Sequence, residues 1–158
     1  MKIKLLIGTV MAFLIVCSVG CTANIEAQKN QAKAIRELGE AYLAEGKYTA
    51  AYQQLVKAEK LDPRDPYVHY ALGNFYYGKG KYNQAIEEYK KALTLNPYYS
   101  GEIYNSLGIV YVQKKMFKSA EEAFNKALEL NPQDSITKNN LFELHKMIGQ
   151  MGAAITHP

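Results

Sequence analysis

Leu72-Gly73-Asn74-Phe75-Tyr76 is the stretch that decides the fold, because the chain writes it three times. Leu38-Gly39-Glu40-Ala41-Tyr42 precedes it by 34 residues, and Leu107-Gly108-Ile109-Val110-Tyr111 follows it by 35. Other positions keep the same register. Ala51, Ala85 and Ala120 match; Leu55, Tyr89 and Phe124 match as large apolar residues; Ala58, Ala92 and Ala127 match; so do Pro63, Pro97 and Pro132. Self-similarity at such a period marks stacked supersecondary units, each too small to bury its own apolar face.

Inside each unit, apolar residues recur at helical spacing in two runs. Gly46 and Gly80 break the runs in the first two units, as a tight helix–helix turn requires, whereas Lys115 stands there in the third and predicts a slightly strained turn. Gly39, Gly73 and Gly108 lie inside the first helix of each unit. Gly costs roughly 1 kcal/mol of helix propensity there, which is tolerable where a second helix approaches closely. Ala51, Ala85 and Ala120 are the expected small matching surface. Asp62-Pro63, Asn96-Pro97 and Asn131-Pro132 stop the second helices. Asp65-Pro66 reads as an N-cap followed by Pro at the first helical position, and Ser100 and Asp134 are the corresponding candidates for the next two helices.

These residues resemble the tetratricopeptide repeat (TPR). The resemblance covers residues 32–134, and only the usual Trp is missing, replaced by Ile35, His69 and Tyr104. It implies an all-α solenoid: a domain over residues 32–150 with three helix-turn-helix repeats, 32–65, 66–99 and 101–134, and a C-terminal capping helix over 135–150. That last helix carries Leu141, Leu144, Met147 and Ile148 on one side, and Phe142 stands where a fourth repeat would keep Gly. Residues 21–31 are polar and Ala-rich, a short tether or an extension of the first helix, and 151–158 read as a loose tail.

The composition supports a folded body. Of 158 residues, 48% are hydrophobic and 22% charged, enough apolar material for one domain with a real core. The formal net charge is +4, and without Lys2 and Lys4 it is +2 (17 basic against 15 acidic residues), too near neutral for a nucleic-acid footprint. Both cysteines, Cys17 and Cys21, sit near the N-terminus, so the body has neither a disulfide framework nor a thiolate metal site.

Residues 1–20 have the layout of an export signal. Lys2 and Lys4 form a basic start, Leu5 to Val16 is uncharged, and small residues follow at Ser18, Gly20 and Cys21. Ser18-Val19-Gly20-Cys21 resembles a bacterial lipobox, with Ser18 where that family usually keeps Leu. The resemblance implies cleavage before Cys21 and lipidation of its thiol. Ordinary cleavage after Gly20 and an uncleaved membrane anchor are the alternatives.

No phosphate loop, nucleophile elbow or His pair with ligand spacing is present, so no catalytic residue, metal or cofactor is expected. His69 reads as a packing residue and Glu87-Glu88 and Glu121-Glu122 as a solvated outer face. Tyr42, Tyr48, Tyr76, Tyr82, Tyr89 and Tyr111 hold repeat-signature positions and are expected in the core. By the family resemblance, Tyr67, Tyr70, Asn74 and Tyr77 fall on the concave side of repeat two, with Asn105, Ile109 and Val112 beside them from repeat three and Arg36, Glu40 and Leu43 from repeat one. That implies a groove for a protein or peptide, with aromatic anchors and a few amide donors. A carboxylate clamp is excluded: its positions hold Arg36, Glu40, Ala71, Glu102 and Ser106, of which only Arg36 suits a carboxylate. Signal, lipobox and repeats together resemble type IV pilus biogenesis lipoproteins, as does Asn96-Pro97-Tyr98-Tyr99 with its one-residue expansion. Thr22 after the lipobox Cys, where Asp would favour inner-membrane retention, points to the outer membrane. The implied role is a non-catalytic envelope scaffold with no small-molecule substrate.

Overall fold

The computed structural model describes the backbone of residues 2–96 and 100–156 and the side chains of residues 22, 24–96 and 100–151. Among them are seven helices and no strand: α1 Lys2–Ala44, α2 Tyr48–Leu61, α3 Pro66–Gly78, α4 Tyr82–Leu95, α5 Ser100–Gln113, α6 Phe117–Leu130 and α7 Ser135–Thr156. They pair as α1 with α2, α3 with α4 and α5 with α6, and α7 covers α6. This is the expected all-α TPR solenoid.

Each turn inside a repeat is the same motif. In the first, Gly46 N–H donates to Leu43 O at 3.0 Å and Lys47 N–H to Tyr42 O at 2.8 Å, closing the end of α1 around a left-handed Gly46 at φ 71°. Gly80 at φ 69° does this after α3. Lys115 does it after α5 at φ 57°, the strain read from its lone side chain in that register, worth about 1 kcal/mol. The second helices stop at Leu61, Leu95 and Leu130, where Asp62, Asn96 and Asn131 turn extended ahead of proline. Asp65 accepts from Tyr67 N–H at 2.9 Å and Asp134 from Ile136 N–H at 3.0 Å, so both cap the helix that follows. Ser100 is the first residue of α5.

The helical glycines are sockets, though not for the partner the spacing suggested. A Cβ on Gly39 would lie 2.8 Å from Leu55 Cδ2, and one on Gly73 or Gly108 would collide with the ring of Tyr89 or Phe124. The large residue of the second helix fills the socket, and the alanine one turn earlier only lets the backbones approach. Tyr89 and Phe124 are accordingly 1% exposed. Burying a ring this fully offsets the propensity cost of the glycine.

Other expectations need correction. Of the six signature tyrosines only Tyr89 is fully buried; Tyr42, Tyr48, Tyr76, Tyr82 and Tyr111 are partly buried, and Tyr48, Tyr76, Tyr82 and Tyr111 pack against the edge of the core. Of the two readings given for residues 22–31, the helix extension is the one observed: they continue α1, with Gln28 Nε2 donating to Leu61 O at 3.0 Å. The apolar stripe of α7 is only half covered: Leu144 is buried and Leu141 partly so, but Met147 and Ile148 are 40% and 39% exposed, since only α6 and α5 lie against it. The helix also continues past Gln150 to Thr156. The Cys21 side chain and Pro97-Tyr98-Tyr99 lie outside the described residues. Among those residues no helix is long and apolar enough to cross a membrane.

Candidate partner-binding groove

The first helix of each repeat and α7 lie side by side, and three cross-helix contacts stitch them into one surface. Between α1 and α3, Arg36 reaches Asp65 and covers the Tyr67 ring at 5.3 Å. Between α3 and α5, the Tyr70 and Ser106 hydroxyls are 3.3 Å apart. Between α5 and α7, Asn140 Nδ2 donates to Asn105 Oδ1 at 2.8 Å. These contacts involve Arg36, Tyr67, Tyr70 and Asn105 of the residues that register assigns to the groove.

Their roles differ. Tyr67 is 37% exposed, with Arg36 over its ring. Tyr70 and Tyr77 are half-buried; Tyr70 tilts against Tyr89 at 5.8 Å and Tyr77 against Tyr82 at 6.1 Å, so they shield α4 as well as facing outward. Ile109 packs toward Phe124 and Leu144 and lines a small cleft with Val112, Asn140 and Met147. Arg36 is not a free cation. It is 8% exposed, donates to Glu40 Oε1 at 2.7 Å, and holds its Nε 3.3 Å from Asp65 Oδ2, an ion-pair distance off the hydrogen-bond direction.

The amides are oriented from beneath. Burial raises the Tyr89 phenol far above its ordinary range, so it stays protonated and donates to Asn74 Oδ1 at 2.7 Å. That bond engages the carbonyl of Asn74, whose amide nitrogen keeps two N–H donors. Asn105 is held the same way, its carbonyl taken by Asn140 and its N–H pair left over. Two adjacent helices thus present amide donors on a half-apolar floor, which suits the carbonyls of an extended chain. Asn140 and Met147 were missed as groove residues; the signal was available, because Leu141 aligns with Leu107 and so places Asn140 beside Ser106 in register.

Among the described residues no cluster of His, Cys, Asp and Glu is placed to hold a metal. Glu88, read as part of a solvated face, is instead nearly buried, with a side chain 12% exposed against His69.

The fold is a helical-repeat solenoid of paired helices. Two family models match: one described as TPR repeat over residues 39–80, one as tetratricopeptide repeat over 66–133. Together they span more than half of the chain, which belongs to the tetratricopeptide-repeat family. No curated protein matches it in sequence. Among solved structures, the first TPR of Spaghetti (RPAP3) bound to an HSP90 peptide superposes with a TM-score of 0.71 at 23% identity, covering 77% of this chain and 98% of that one. The Arabidopsis OM64 TPR domain gives 0.71 at 20%, covering 76% and 98%. The Sgt2 TPR domain from Aspergillus fumigatus gives 0.70 at 20%, covering 78% and 82%. At such identities the likeness is one of fold.

Proposed function

We propose that this chain is a non-catalytic protein–protein interaction scaffold of the bacterial cell envelope, tethered to the outer membrane through lipid on Cys21 and facing the periplasm. The observation that carries the interaction reading is the pair of oriented amides, Asn74 and Asn105, flanked by Tyr67, Tyr70, Tyr77 and Ile109. Tyrosine offers contact area with a polar tip at low entropy cost. The partner is an extended protein segment. Its C-terminal carboxylate is not the anchor: Arg36 is already neutralised by Glu40 and Asp65, and Glu102 is exposed at a clamp position. The HSP90 peptide of the RPAP3 neighbour is therefore not transferred to this chain. The envelope reading rests on the basic start, apolar run and lipobox-like Ser18-Val19-Gly20-Cys21. Its particular form is help in assembling an envelope complex such as a type IV pilus secretin. An adaptor for peptidoglycan enzymes and a periplasmic peptide-binding chaperone are the competing forms.

Mass spectrometry of the mature protein from a bacterial host tests the tether. The expected N-terminus is an acylated Cys21, and Cys21→Ser should move the protein to the soluble fraction. An unmodified Cys21, or a chain still beginning at Met1, rejects it.

The groove is tested by capture from envelope extracts. Tyr67→Ala with Asn105→Ala should weaken capture roughly 30-fold, the equivalent of about 2 kcal/mol, with helicity unchanged. Glu87→Ala with Glu122→Ala, both exposed on second helices, should have little effect. The reverse ranking would remove the groove assignment. Captured secretin or pilus proteins favour the first form, wall hydrolases the second, and a mixture of unfolded chains the third.

A further inference from the structure

His69 is 5% exposed, yet both of its ring nitrogens face groups that only accept hydrogen bonds. Nδ1 lies 2.8 Å from the Glu88 carboxylate on α4, and Nε2 lies 3.2 Å from the Pro63 carbonyl in the turn between α2 and α3. A neutral imidazole carries one N–H and can serve only one of them; the imidazolium serves both. The three residues join three elements across the seam between repeats one and two. We propose that His69 is a proton-dependent clamp on that seam, closed as the imidazolium and opened by deprotonation.

The surrounding charges favour the closed form. From α4, Glu88 makes the direct contact, and Lys91 Nζ donates to its other oxygen at 2.7 Å. Glu87 and Lys90 of the same helix border the open cleft beside His69 and offset one another. From α2, Glu59 adds negative potential, while Tyr76 of α3 stays a neutral phenol, raised to about 12 by burial and by its bond with Tyr52. From α1, Arg36 is consumed by Glu40 and by Asp65. The cleft, lined also by Pro63 and Thr94, gives the ring a solvent path for its proton.

The Glu88 hydrogen bond raises the His69 proton affinity above the ordinary 6.5, against the opposing effect of burial. Burial likewise opposes ionisation of Glu88, but the hydrogen bonds from His69 and Lys91 prevail and hold its carboxyl below 4.5. The signs follow from linkage. The contribution of His69 is complete below 6.5 and lost as pH rises through its higher folded value. That of Glu88 is complete above 4.5 and lost as pH falls through its lower folded value. The clamp is therefore tightest in mild acid, between these limits. Opening it frees the turn that carries Asp65, which caps α3 and pairs with Arg36 at the edge of the groove.

Nitrogen-detected NMR on the full chain, with His145 and His157 assigned by substitution, reads the ring directly. At pH 6 both His69 nitrogens should be protonated, and the midpoint should lie above 6.5. Glu88→Gln should reduce the ring's proton affinity about tenfold or more. The melting temperature of the wild type should fall by about 2–6 °C between about pH 6 and about pH 9 relative to His69→Gln, which lacks the titrating group. A neutral tautomer at pH 6, or a midpoint unmoved by Glu88→Gln, overturns the clamp. Should His69→Gln fail to fold, the wild-type titration and Glu88→Gln decide by themselves.

Discussion

Gly73→Leu should lower stability by about 3 kcal/mol, which for a chain of this size moves the melting temperature by about 10 °C. The cause is local. The first added carbon already collides with the Tyr89 ring, which is buried and held by Asn74, so it has no free direction of retreat. Leucine adds three more carbons to the same socket. The control is Gly101→Ala, also in a first helix, where the new Cβ meets its nearest neighbour at 3.9 Å. That change should be neutral or stabilise by up to about 1 kcal/mol, since alanine is the better helix former. Urea titration of both variants, followed by helicity, makes the comparison. Similar midpoints for the two would mean that Gly73 is not a socket.

Arg36→Ala should cost about 2–3 kcal/mol, more than any exposed ion pair is worth. The guanidinium hydrogen-bonds Glu40, forms an ion pair with Asp65 and lies over Tyr67, so its loss removes the cation that both carboxylates share at the α1–α3 seam. Asp65 is 14% exposed and bears most of the penalty, whereas Glu40 at 37% is partly relieved by water. Arg36→Lys should recover only part of the loss, because a single ammonium cannot span the fork. A double-mutant cycle with Asp65→Asn measures the coupling by denaturant unfolding. A coupling near zero would return Arg36 to the groove as an ordinary surface cation.

The groove was legible to different depths. Tyr67, Tyr70, Asn74, Tyr77, Asn105 and Ile109 could be placed on one surface because a 34-residue period with helical spacing assigns every residue a face. Which of them are open was not legible. Tyr70 and Tyr77 differ from Tyr67 through the rings of Tyr89 and Tyr82 beneath them, on another helix. Arg36 reads in the sequence as a groove residue suited to a carboxylate, and it becomes a buried ion-pair partner only when Asp65, at the start of α3, is brought to it. Glu88 reads as solvent-facing beside Glu87, and only the packing of α3 on α4 sets it against His69.

The amino-acid sequence by itself determined the all-α class, the three repeats, the turns at Gly46, Gly80 and Lys115, and the helix stops ahead of Pro63, Pro97 and Pro132. These are consequences of short-range forces: side-chain period, left-handed backbone cost and the missing N–H of proline act within one or two turns of chain. Tertiary structure alone decided the glycine sockets for Leu55, Tyr89 and Phe124, the orientation of Asn74 and Asn105, the neutralisation of Arg36 and the two acceptors around His69. Apart from the Arg36–Glu40 pair within α1, each of these joins residues on different elements. Contact distance and desolvation, which set their energies, exist only once the helices have stacked.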